Sequence, residues 1–224
     1  MQTQTTHNYN PLSLDVTSSL NEAWERTSGF KLSVLIAGLL FFLILMTFGV
    51  ASVLVLQLAP FISQEIIAIF AIILNLTMTV ASYPLLAGMM MMGVHRATEQ
   101  TVSYKMLFAY LGFTLPVLIA SICIAIFTSV GFLLLVVPGI YLSIAYLFTL
   151  PLIIDKKMDF WLAMETSRKT VTPHWFKVFF TVLAMSIIYL LSMIPLGLGL
   201  IWTIPMSIAM YGILYRKLFI TIAS

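Results

Sequence analysis

Four long stretches of this chain carry no aspartate, glutamate, lysine or arginine: residues 32–64, 66–95, 106–154 and 178–215. A helix needs about 20 residues to cross a hydrocarbon core of roughly 30 Å. The first two stretches therefore each hold one crossing, expected over 32–58 and 66–92. The third is too long for one and divides into 107–128 and 132–154, turning at Thr128-Ser129-Val130-Gly131. The fourth fits 176–194 and 200–216, turning at Pro195-Leu196-Gly197-Leu198-Gly199, where Pro and Gly disfavour a continuing helix. Its halves are short enough to form a re-entrant hairpin instead. The expected fold class is all-α: a polytopic membrane helix bundle of about six transmembrane helices plus two short interfacial amphipathic helices. One transmembrane domain, 31–219, follows an N-terminal segment, 1–30.

Composition excludes the alternatives. Only 8% of the residues are charged and 61% are hydrophobic, whereas soluble domains average about 25% charged. So few charges cannot cover a water-facing globule, and a disordered chain would be more polar. The single cysteine, Cys123, can form neither an internal disulfide nor a metal cluster. The polar segment 1–30 does not read as a cleavable signal peptide, and the first apolar run is expected to act as an uncleaved anchor.

The charges also orient the chain. With the N-terminus on the cytoplasmic side, six crossings place all 11 basic residues inside. These are Arg26, Lys31, Arg96, Lys105, Lys156, Lys157, Arg168, Lys169, Lys177, Arg216 and Lys217. That is the asymmetry of the positive-inside rule, and it puts both termini in the cytoplasm. Glu65 alone is left outside. Trp24, Trp161 and Trp175 fall near the inner boundary and Trp202 near the outer one, as in aromatic belts.

Residues 1–12 are rich in Gln, Thr and Asn and are expected to fray. From there, Asp15 is a natural N-cap for a helix whose Val16, Leu20, Ala23 and Trp24 share a face. A second amphipathic segment runs over 159–171, capped by Asp159, with Glu165 and Lys169 paired at i,i+4 and Pro173 just beyond. Both lead through an aromatic and a lysine into a crossing, at Phe30-Lys31 and at Trp175-Phe176-Lys177. Tyr104-Lys105 echoes this before the third, so the chain reads as three hairpins.

Several residues suggest chemistry. Pro138-Gly139 falls inside the expected fourth crossing, where proline removes a backbone hydrogen bond; it is a candidate helix break or hinge, against the blander reading of a static kink. Lys156, Lys157, Arg168, Lys169 and Lys177 are candidate contacts for anionic lipid headgroups, each contributing on the order of 1 kcal/mol, unless they merely hold their loop inside. Asp155 and Arg168 form a candidate structural ion pair. Met89-Met90-Met91-Met92 points around a helix rather than to one side, which favours packing over a soft-metal site. His95 and His174 stand alone, and Ser186 and Ser192 are expected to bond their own helices. No catalytic, cofactor or metal residues are assigned. The expected partners are the lipid bilayer, with anionic phospholipid, and a membrane protein or second copy, but not nucleic acid.

The run Leu133-Leu134-Leu135-Val136-Val137-Pro138-Gly139-Ile140-Tyr141, then Pro151-Leu152-Ile153-Ile154-Asp155-Lys156, Ser167-Arg168 and His174-Trp175, resembles the YciC family of bacterial inner-membrane proteins. It is also similar to the membrane domain of some glycerophosphodiester phosphodiesterases. Asn21-Glu22-Ala23-Trp24 and residues 88–108 fit the same pattern. The resemblance implies a multi-pass inner-membrane protein without established activity, and does not imply the phosphodiester chemistry. Asp, Glu, Lys and Arg, which coupled transporters need within the membrane, are absent from the four apolar stretches. The leading expectation is a non-enzymatic envelope, scaffold or lipid-interacting protein. The alternative is an uncoupled transporter or pore for a neutral or lipid-like substrate, lined by Gln57, Asn75, Thr77, Thr79 and Tyr83.

Overall fold

The computed structural model describes residues 14–57 and 60–221, and it is all-α. The N-terminal residues 1–12 and Leu58, the expected end of the first crossing, lie outside the described residues. Five helical segments are long and apolar enough to cross a membrane: Lys31–Gln57, Gln64–Ala97, Tyr104–Leu134, Val136–Asp155 and Phe160–Met193.

Helix α1 (Val16–Thr27) starts where expected, with the Asp15 carboxylate accepting from the Ser18 N–H. A left-handed Gly29 then turns the chain into α2 (Lys31–Gln57), which pairs with α3 (Gln64–Ala97) as a long hairpin. At 1.5 Å per residue these helices are about 40 and 50 Å long, more than the hydrocarbon core requires. Their far halves are apolar all round and pack on little but each other. Polar Ser63, Gln64 and Glu65 occupy the far turn.

Everything else gathers at the other end of this hairpin. The chain climbs through two short 3₁₀ turns, Tyr104–Phe108 and Leu111–Phe113, into α4 (Thr114–Leu134). One extended residue, Leu135, separates α4 from α5 (Val136–Ala145), so Thr128 to Gly131 stay helical and the turn comes later than their polarity suggests. Pro138 is the third residue of α5, in the first turn, where the missing N–H has no intrahelical partner to lose. It therefore starts a helix rather than kinking one. Gly131 and Gly139 let α4 and α5 meet, since a Cβ on Gly131 would stand 3.1 Å from the Gly139 Cα. The interruption in this leg lies instead at residues 146–148, before α6 (Thr149–Asp155). There the buried Ser167 hydroxyl donates to the Ala145 carbonyl (2.7 Å) and accepts from the Phe148 N–H (3.3 Å).

Helix α7 (Phe160–Val171) is the expected second amphipathic helix, capped by Asp159 and carrying the Glu165–Lys169 pair at 3.1 Å. It leads through a 3₁₀ turn into α8 (Trp175–Met193). The last helix, α9 (Leu200–Tyr215), ends in a π-helical turn, Arg216–Thr221. It covers the expected sixth crossing but is only 16 residues long, and it does not run along the hairpin. At one end the Lys31 ammonium lies 4.0 Å over the Trp202 ring. At the other, Arg216 donates to the Ala97 carbonyl (2.9 Å). Lys31 opens α2 and Ala97 closes α3, so both ends of α9 sit at the same end of the hairpin. Helix α9 crosses beneath α3, with α1 laid along its other side. Trp202 thus belongs with Trp24 at the charged end and not at the outer boundary. Beyond its exposed first turn, α9 is largely buried by protein: Met206, Ala209, Met210, Ile213 and Leu214 all face the core. Hydropathy alone cannot separate that burial from burial in lipid.

Candidate functional site

The body at the Lys31 and Ala97 end of the α2/α3 hairpin carries every described formal charge except Glu65, and three of its acids, Glu22, Asp155 and Glu165, are engaged by other side chains of the body. Glu22, on the buried face of α1, is the hub. Its carboxylate lies 2.7 Å from Arg26 Nε, 2.7 Å from Arg216 Nη2 and 4.0 Å from the Lys217 ammonium. Lys217, only 2% exposed, also donates to the Ser19 hydroxyl (3.0 Å). Arg26 Nη1 donates to the Arg96 carbonyl (3.1 Å), and Arg96 Nε returns a bond to the Arg26 carbonyl (2.8 Å). Three elements are thereby fastened: α1, the end of α3 and the turn after α9.

Environment sets the protonation of this hub. Burial would raise the Glu22 carboxyl, but Arg216 and Arg26 outweigh it and hold the group below its ordinary value. Burial pushes the Lys217 ammonium down, against the attraction of Glu22.

A second cluster forms around Asp155 at the end of α6. The Tyr215 hydroxyl donates to its carboxylate (2.7 Å), and Lys156 stands 3.7 Å away. His95 and Tyr110, 3.4 Å apart, lie nearby. Beneath them Phe148 packs on Tyr211, Tyr215 and Phe219, and Tyr211 donates to the Leu147 carbonyl (2.8 Å). The expected Asp155–Arg168 pair is not formed. Arg168 holds Glu165 on its own helix through two bonds, at 2.9 and 3.0 Å, because a partner three residues away on the same face is nearer than one on another element. Asp155 is taken instead by Tyr215, whose position depends on the transverse course of α9.

The five candidate headgroup contacts fall on this body but are not equivalent. Lys156 pairs with Asp155, while Arg168 and Lys169 share Glu165. Lys157 and Lys177 are exposed and have no acidic partner among the described residues. Exposed Trp161 and Phe176 flank them in sequence. The Pro138-Gly139 pair lies apart, on the α4/α5 hairpin.

The residues considered for a pore lining are elsewhere. Gln57, Asn75, Thr77 and Thr79 are exposed on the far half of the α2/α3 hairpin. Asn75 donates to Ala71, Thr77 to Ile73 and Thr79 to Asn75, all to carbonyls of their own helix at 2.8 Å. Met91 and Met92 are core residues, and Ser186 and Ser192 bond their own helices as expected. A groove of about 420 Å³ between α8 and α9 is lined mainly by apolar side chains, among them Met185, Leu190 and Met210.

The signals missed in sequence were the acids. Glu22 entered the sequence reading only within Asn21-Glu22-Ala23-Trp24, and its three cationic partners sit 4, 194 and 195 positions away in the chain. Compared with known proteins, the chain matches no family model, no curated protein and no solved structure.

Proposed function

We propose that the chain is a non-catalytic inner-membrane protein of bacteria, with both termini in the cytoplasm, whose charged body holds anionic phospholipid headgroups. The observation that carries this reading is the pairing pattern. Glu22, Asp155 and Glu165 are each engaged within the body, and because its basic residues outnumber its acids an excess of positive charge is left over. Lys157 and Lys177 present that excess outward, beside aromatic residues suited to the headgroup region. With their carboxylates so occupied, these clusters offer no free acid–base pair, which supports a binding role.

The triple variant K156Q/K157Q/K177Q tests this. At about 1 kcal/mol per lysine, retention of acidic phospholipid by the purified protein should weaken roughly 100-fold, read by native mass spectrometry. Retention of zwitterionic lipid should not change. Equal retention of acidic lipid by the variant and the parent would remove the headgroup reading.

A further inference from the structure

Of the five segments long enough to cross a membrane, we infer that only α2 and α3 do so, and that the α4/α5 and α8/α9 hairpins are half-depth wedges whose partner is the acyl-chain layer of the leaflet on the charged side. This goes beyond lipid-headgroup binding and does not depend on it.

Three observations converge. The first is distance along the chain from groups that must remain at the water boundary. In the middle of α5, the Tyr141 hydroxyl bonds the Thr172 hydroxyl (2.8 Å), and its carbonyl accepts from the Trp175 indole (3.2 Å). Arg168 and Lys169 on one side, and Lys177 on the other, are charged and hold that region at the water boundary. The tip of the hairpin at Val136 is five residues from Tyr141, about 8 Å of helix. A crossing would demand roughly 30 Å. On the other leg, Phe127 of α4 is already level with α7, its ring 6.4 Å from that of Trp161. For the second hairpin the anchor is Trp202, which lies under Lys31 only three residues after the turn ends at Gly199.

The second observation is the chemistry of the tips. Leu133, Leu134, Leu135, Val136 and Val137 are consecutive and 63–87% exposed, and Leu196 is 97% exposed. Neither tip has a polar side chain, whereas the α2/α3 turn has Ser63, Gln64 and Glu65. Water would be a poor solvent for the first two turns and a good one for the third.

The third is backbone satisfaction. A turn inside hydrocarbon must bond its own polar groups. In the second tip Gly197 donates to Met193 (3.1 Å), Leu198 to Pro195 (3.0 Å) and Leu200 to Gly197 (3.0 Å). In the first, Leu135 donates to Gly131 (3.1 Å) and Pro138 has no N–H to satisfy, so that only the first two N–H groups of α5, on Val136 and Val137, stand without a backbone acceptor.

Single cysteines in a Cys123→Ala background decide the matter, probed in sealed vesicles of each orientation with a membrane-impermeant maleimide. Leu134→Cys and Leu196→Cys replace exposed side chains, so folding is not threatened. Both should resist labelling from either side and react fully once detergent is added. Gln64→Cys should label from one side only and Glu99→Cys only from the other. Nitroxides at 134 and 196 should report depths within the charged-side leaflet. Labelling of Leu134→Cys or Leu196→Cys from the side that labels Gln64→Cys would show a full crossing and overturn the inference. Labelling from the Glu99→Cys side would place the tip in water and overturn it equally.

Discussion

Gly212→Leu is expected to dismantle the packing of α9 against α3, at a cost of about 3 kcal/mol. The two helices meet backbone to backbone. A Cβ on Gly212 would coincide with the Gly93 carbonyl, and a Cβ on Gly93 with the Ile208 carbonyl. No rotamer change relieves a clash with main chain, so α9 would have to lift away. That movement would carry Tyr215, Arg216 and Lys217 off Asp155 and Glu22 together. Small residues at such crossings are the usual means by which membrane helices approach closely. Thermal unfolding in detergent should show a large loss for Gly212→Leu. The control is Gly49→Leu on the far half of α2, where an added Cβ meets nothing within 4 Å and stability should not change.

The second large effect is expected at Glu22. The carboxylate is 8% exposed and is shared by Arg26, Arg216 and Lys217. Truncating one member of a buried charged network costs about 3–5 kcal/mol, because the remaining charges stay buried without compensation. Glu22→Ala should therefore release α1 and the turn after α9, giving early proteolysis on the N-terminal side of Lys31 while the α2/α3 hairpin stays protected. The same residue sets a pH dependence. Its folded pKa lies below the ordinary value of 4.5, so the stability it confers is present above that value and is lost as pH falls through the depressed one. Acid melting should steepen there in the parent protein and flatten in Glu22→Gln.

How much of this was legible in the sequence depends on which solvent each apolar residue meets. Helices α2 and α3 were readable because the apolar residues of their far halves are not covered by protein, and hydropathy reports that situation directly. The two amphipathic helices were readable because their caps are local: Asp15 and Asp159 each bond an N–H two or three residues on. Helix α9 looked like another crossing because Met206, Met210 and Leu214 are as apolar as lipid-facing residues, although they are covered by protein. Pro138 was placed in a helix interior only because the turn was expected at residues 128–131, whereas Thr128 and Ser129 continue α4, the Thr128 hydroxyl buried without a hydrogen-bond partner. The charged hub was invisible for a different reason. Glu22, Arg216 and Lys217 come together through the transverse course of α9, which local spacing does not encode.

On the proposed topology the charge of this chain collects on one face of the membrane, around the base of a single crossing hairpin. Epitope tags fused to both ends, probed by antibody in intact spheroplasts and again after permeabilisation, test it most directly. Neither tag should be accessible until the membrane is opened. Detection of either tag on intact spheroplasts would contradict it.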